Sequence, residues 1–151
     1  MNLKDTHMID ITDKKKTVRM AVAGIRVNLA EKTLTLIKNN QVPKGDVFAV
    51  SQTAAILAAK KTPDLLPLCH PLLLTGVSVD FNFTSGNSID ITVTIKGKGQ
   101  TGFEMEALTA AAVAALTIYD MCKMIDRKIT ITDLRLLRKT GGKSGDYIAE
   151  R

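Results

Sequence analysis

The chain contains no tryptophan, and aromatic residues make up only 4% of its 151 positions, so its core must be built from aliphatic side chains and closely packed alanine. The same shortage argues against a basic, non-catalytic RNA-binding module, which needs exposed rings on which bases stack. Cysteine is also scarce. Cys69 and Cys122 are too few for a disulfide framework, and no zinc-ligand spacing appears, because only His7 and Cys122 remain as soft ligands beside the adjacent pair Cys69-His70. No metal site is expected. No segment joins a basic region to an apolar run and a cleavage site, and the longest apolar tract, Ala107 to Tyr119, is short and rich in Ala and Thr. The expectation is therefore a cytoplasmic chain without a membrane segment. Charge of one sign is in excess: 21 Lys and Arg against 15 Asp and Glu give a net +6, a surface that attracts anions without saying which.

This length suits one core. Residues 1–16, with the run Lys14-Lys15-Lys16, are expected to form a flexible arm, and residues 17–151 a single domain. Val18, Met20, Val22, Val27 and Leu29 predict a strand over 17–29, broken or bulged around Gly24. A short helix follows over 30–39. A second, capped by Asp46, carries Val47, Val50, Ala54, Leu57 and Ala58 at helical spacing and is expected to stop at Thr62-Pro63. Thr75–Phe83 and Ser88–Ile95 alternate with period two around the turn residues Thr84 to Asn87. They read as a hairpin whose inner face carries Val77, Val79, Phe81 and Phe83 opposite Ile89, Ile91, Val93 and Ile95. Gly97, Gly99 and Gly102 suggest a flexible loop. Thr101 and Glu104 have capping-box spacing and open an alanine-rich helix to about Asp126. A last strand over 129–137 precedes the glycine-rich tail Thr140 to Asp146. The sum is an α+β, ferredoxin-like antiparallel sheet with helices packed on one face.

Several residues exceed what such a fold requires. Cys69 and His70 stand between Pro67 and Pro71, whose fixed dihedrals restrict the backbone there. Glu104 and Glu106 sit at a helix start; capping explains the first and leaves the second as the better functional candidate. Asp120 and Lys123 form an i, i+3 pair on a mostly apolar helix, where a surface ion pair competes with a partly buried proton-transfer pair. Lys44, Lys60, Lys61 and Lys143 lie at bends or helix ends and suit phosphate groups. The tail Gly141-Gly142-Lys143-Ser144 lacks the first glycine of a nucleotide-binding P-loop.

Together, Lys44-Gly45-Asp46-Val47, Leu68-Cys69-His70-Pro71-Leu72, Thr101 to Ala110, Leu116 to Lys123 and Gly141 to Asp146 resemble the cyclic pyranopterin monophosphate synthase family of molybdenum cofactor biosynthesis. The likeness runs from about His7 to Asp146. It departs in having Gln100 where a basic residue is expected and Met20 in place of an acid.

The resemblance implies a lyase that converts a small nucleotide substrate, 3′,8-cyclo-7,8-dihydro-GTP, into cyclic pyranopterin monophosphate and pyrophosphate. It implies a homohexamer, a trimer of dimers. Asp120, Lys123 and Lys44 match catalytic positions. Leu68, Cys69, His70, Met105 and Glu106 match substrate-binding segments, with Arg19, Lys60, Lys61 and Lys143 as further anion contacts. No cofactor is required, though Mg²⁺ can accompany the triphosphate, and neither nucleic acid nor membrane is implied as a partner. Several proton transfers and pyrophosphate release suit an acid–amine pair among cations. Glu106 and Asp120, fourteen positions apart on one helix, would lie about 21 Å apart. Active sites at subunit interfaces, with Asp120 and Lys123 of one subunit facing Cys69-His70 or Glu106 of another, are the expectation.

Overall fold

The computed structural model describes residues 5–143 and 145–150. Residues 1–4 of the arm and Ser144 of the tail motif lie outside the described residues. The elements are β1 (Thr17–Asn28), α1 (Glu31–Lys38), α2 (Val47–Leu65), β2 (Leu74–Phe83), β3 (Ser88–Gly99), α3 (Glu104–Cys122), β4 (Thr130–Thr140) and β5 (Tyr147–Ile148). The strands form one antiparallel sheet in the order β2-β3-β1-β4-β5, against which the helices pack. This is the expected α+β arrangement with one more edge strand, β5, where only a polar tail was read.

The expected hairpin forms, with Phe83 opposite Ile89, Phe81 opposite Ile91, Val79 opposite Val93 and Val77 opposite Ile95. Ile89, Ile91, Val93 and Ile95 are all buried, whereas Phe83 at the hairpin end is 39% exposed. Phe48 of α2 stacks on Phe81 at 4.6 Å between ring centroids, and the Lys38 ammonium covers Phe83 at 4.7 Å. These rings are packing elements.

The first strand is bulged around Gly24, one of the two expected forms: its register with β4 shifts between Val22 and Ala23 and again between Gly24 and Arg26, while it pairs with β3 without a break from Thr17 to Asn28. Val18, Met20 and Val22 share the face away from the core, while Ala21, Ala23, Ile25 and Val27 point inward. Small inward alanines allow α3 to approach closely with its own Ala107, Ala110, Ala111, Ala114 and Ala115, all fully buried. By length and composition α3 could cross a bilayer, but half of it is buried inside the protein and it is a core helix.

Three further boundaries differ from expectation. α2 continues two residues past Pro63, because the Thr62 hydroxyl donates to Ala58 O at 3.0 Å and Leu66 N–H donates to Thr62 O at 2.9 Å, holding the last turn. α3 ends at Cys122, after which Asp126 serves α1 instead: its carboxylate accepts from Ala30 N–H at 2.7 Å and the Thr33 hydroxyl at 3.1 Å, giving α1 a cap from 96 residues away. Thr101 and Glu104 form no capping box; Phe103 is the N-cap, without a side-chain bond.

Gly97 and Gly99 are not loop residues but the end of β3, paired with Arg19 and Thr17. They leave a trough for the Phe103 ring, which is 1% exposed and whose burial stabilises by about 1.5–3 kcal/mol. A Cβ on Gly97 would collide with that ring and lie 2.9 Å from Leu73 O. Gly97→Ala is therefore expected to destabilise by about 1–3 kcal/mol and to lower Tm by roughly 5 °C, read from a thermal melt; an unchanged Tm would contradict this packing. Phe103 immediately precedes α3, so this contact also sets where Glu104, Met105 and Glu106 stand.

Candidate active site

The last turns of α3 carry one group of candidates. Asp120 accepts from Lys123 Nζ at 2.7 Å on one oxygen and from Lys44 Nζ at 2.7 Å on the other, and Lys44 Nζ also reaches Asp120 O at 3.0 Å. Lys123 arrives by helical periodicity, one turn on. Lys44 arrives from the loop between α1 and α2, whose shape is set on both sides. Gly45 N–H donates to Val42 O at 2.9 Å, Gly45 adopts φ +103°, and Asp46 caps α2 by accepting from Phe48 and Ala49 N–H at 3.0 Å. The hydrogen bonds from Lys123 and Lys44 hold the Asp120 carboxyl at about 2, and the same contact raises Lys123. All three side chains are about half exposed. Asp120 is thus ionised at rest, bound on its two oxygens by Lys44 and Lys123.

The start of α3 carries the second group. Leu68, Cys69, His70, Met105 and Glu106 line one cavity of about 460 Å³, beneath His7, Ile9 and Ile11. His70 Nε2 lies 2.8 Å from Ile9 O. Glu106 is buried and its carboxyl is raised, chiefly by desolvation. Burial and the neighbouring Glu106 also raise the Cys69 thiol, which suits a packing or hydrogen-bonding group better than a nucleophile. A carboxyl held this way gains from any cation brought to it.

A larger cavity, about 820 Å³, adjoins this one and shares Lys14, Thr101, Gly102 and Glu104 with it. Its five cations, Lys14, Lys15, Arg19, Lys139 and Lys143, face two carboxylates, Asp13 and Glu104. Arg19 is tied down by bonds to the Thr17 hydroxyl at 3.0 Å, Gly99 O at 3.3 Å and Gln100 O at 3.2 Å. The tail crosses over it at Gly142, where a Cβ would strike the guanidinium. The sequence pointed to Arg19 and Lys143 here but missed Lys139, which pairs with Glu104 at 3.1 Å, along with Lys14 and Lys15. Lys139 precedes the same Thr140-Gly141-Gly142 turn that drew attention to Lys143, so a signal was present. Lys60 and Lys61 line neither cavity; Lys61 pairs with Asp64 at 3.2 Å along α2.

With this geometry in place, the comparison with known families is decisive: the MoaC family model matches residues 8–142, nearly the whole chain and both groups of candidates. The chain belongs to the MoaC family. Two similar relatives both carry the name cyclic pyranopterin monophosphate synthase. That of Desulfitobacterium hafniense (strain DSM 10664 / DCB-2) is 50% identical over 143 residues, covering 95% of this chain and 88% of the relative. That of Geobacillus thermodenitrificans (strain NG80-2) is 53% identical over 143 residues, covering 93% of this chain and 88% of the relative.

In this MoaC-family chain the two groups stay apart. Asp120 and Glu106 are on one uninterrupted helix, fourteen residues and about 21 Å from one another along its axis. Lys44 and Lys123 gather at one end; Cys69, His70 and the cation-lined cavity gather at the other.

Proposed function

We infer that this chain is the enzyme of molybdenum cofactor biosynthesis that forms cyclic pyranopterin monophosphate, a lyase acting on 3′,8-cyclo-7,8-dihydro-GTP with release of pyrophosphate. The observation that carries the reading is the Lys44–Asp120–Lys123 cluster in a chain that belongs to this family. Rearranging the ring system needs protons removed and returned at several atoms, and a carboxylate between two ammonium groups supplies an acceptor and two donors. Losing pyrophosphate while a cyclic phosphate closes needs cations that hold both fragments, which is the chemistry of the cavity lined by Arg19, Lys139 and Lys143.

We further propose that the two ends of α3 serve one reaction by facing each other across a two-fold axis, within a hexamer built as a trimer of dimers. Support comes from their separation within one chain and from the buried, raised carboxyl of Glu106, which a partner's lysine would stabilise in its charged form. Lys60 and Lys61, which line neither of the two cavities described, would then act as anion contacts for a neighbouring subunit. The reaction as proposed uses no redox cofactor and runs in the cytoplasm. Mg²⁺, where it accompanies the triphosphate, would be held chiefly through phosphate oxygens and water. Incubating the purified protein with the cyclised nucleotide tests the activity. Stoichiometric appearance of the tetracyclic product and pyrophosphate is expected, and a folded protein that binds the nucleotide without releasing pyrophosphate would contradict the reading.

A further inference from the structure

Residues 7–16 form neither helix nor strand, yet side chains from two other segments hold their backbone. His70 Nε2 reaches Ile9 O at 2.8 Å, and the Gln100 amide donates to Ile11 O at 3.0 Å and to Thr12 O at 3.2 Å. Within the strap, Asp10 accepts from the Thr12 N–H at 2.8 Å and hydroxyl at 2.6 Å, and Lys14 N–H donates to Ile11 O at 3.0 Å. These bonds turn the chain twice in five residues and deliver Lys14 to the rim where the two cavities meet, since Lys14 lines both. Glu104, at the same rim, is neutralised by Lys139 at 3.1 Å. Among the described residues no carboxylate is ion-paired with Lys14.

We propose that Lys14 is a further anion-binding residue of this site, contacting the phosphate chain of the nucleotide where it passes from the cavity beneath His70 and Glu106 into the one lined by Arg19, Lys139 and Lys143. Gln100 is the positioning residue that puts it there. Gln100 stands where the family resemblance implies a basic side chain, and the structure accounts for an amide: its N–H groups satisfy the carbonyls of Ile11 and Thr12. A lysine ammonium on an exposed rim acts on phosphate as a mobile point charge, and this rim is shared by the cavity for the ring system and the cavity for the anion. The proposal rests on the reaction assigned above for the identity of the anion.

The test is calorimetric binding of inorganic pyrophosphate to the assembled protein. Lys14→Ala is expected to weaken binding by about tenfold and to flatten its salt dependence, and Lys14→Arg to recover most of both. Gln100→Ala, which removes no charge, is expected to weaken pyrophosphate binding severalfold. Unchanged affinity in Lys14→Ala, or no pyrophosphate binding by the wild type, would overturn the anion role; unchanged affinity in Gln100→Ala would overturn the positioning role. A wild type that binds pyrophosphate through Lys14 but does not convert the cyclised nucleotide would undo the assigned reaction and leave Lys14 as an anion contact.

Discussion

Replacing Asp120 with asparagine is expected to lower kcat on the order of a thousandfold, with little change in KM or Tm. The amide keeps the size of the carboxyl and one oxygen acceptor, so the Lys44 loop and the end of α3 should hold. What is lost is the negative charge that both lysines face and the carboxylate that accepts a proton between them. At rest Asp120 and Lys123 are mismatched for proton exchange: the carboxyl is held at about 2 while its hydrogen bond raises Lys123. Chemistry therefore requires a competitor for the lysines. An anionic nucleotide is one, and by drawing Lys44 and Lys123 toward phosphate it returns Asp120 toward an ordinary carboxylate, where it becomes a useful base. Because the carboxyl is depressed in the folded protein, its tether to Lys44 is present above the ordinary carboxylate range and is lost as pH falls through about 2. The acidic limb of the rate profile should thus belong to the nucleotide complex rather than to free Asp120. A Asp120→Asn protein with wild-type kcat would remove Asp120 from the chemistry.

Much of this arrangement was legible before any coordinates. The period-two alternation of Val77 to Phe83 and Ile89 to Ile95 specified the hairpin and which face it buries, because successive side chains point to opposite sides of a strand. Asp46 announced α2 for a local reason, its carboxylate meeting the first free N–H groups. The misreadings occurred where distant contacts override local signals. Gly97 and Gly99 look like loop residues until the Phe103 ring is laid over them. Thr101 and Glu104 have the spacing of a cap, but Glu104 is drawn off by Lys139, 35 residues away. Asp126, six residues beyond Asp120, had no assigned role because its partners Ala30 and Thr33 are nearly a hundred residues earlier. In the site, Asp120 with Lys123 could be read from helical spacing alone, whereas Lys44 read only as a phosphate-suited lysine at a bend, took its catalytic place from the family resemblance, and is brought to 2.7 Å by the fold. Lys14 was missed because a lysine in an irregular segment carries no local mark of the cavity it lines, whereas Lys139 stood beside the very turn that marked Lys143.

The two ends of α3 remain to be joined, and this makes the strongest demand on the account. If each active site takes Asp120, Lys123 and Lys44 from one subunit and Cys69, His70 and Glu106 from its two-fold partner, then two inactive variants hold complementary intact halves. In a dimer formed from Asp120→Ala and Glu106→Ala chains, one of the two sites carries both substitutions and the other carries neither. Random reassembly makes half of all dimers mixed, so about a quarter of all sites should be whole. Within a single chain the helix is continuous and holds the groups about 21 Å apart, so no rearrangement of side chains gives the same result. The measurement is the rate of pyrophosphate release from the cyclised nucleotide by the two variants, each alone and after co-expression and reassembly. Each variant alone near zero and the reassembled mixture at about a quarter of the wild-type rate is the predicted result. A mixture no more active than its components, with mixed dimers demonstrably present, would contradict the shared site.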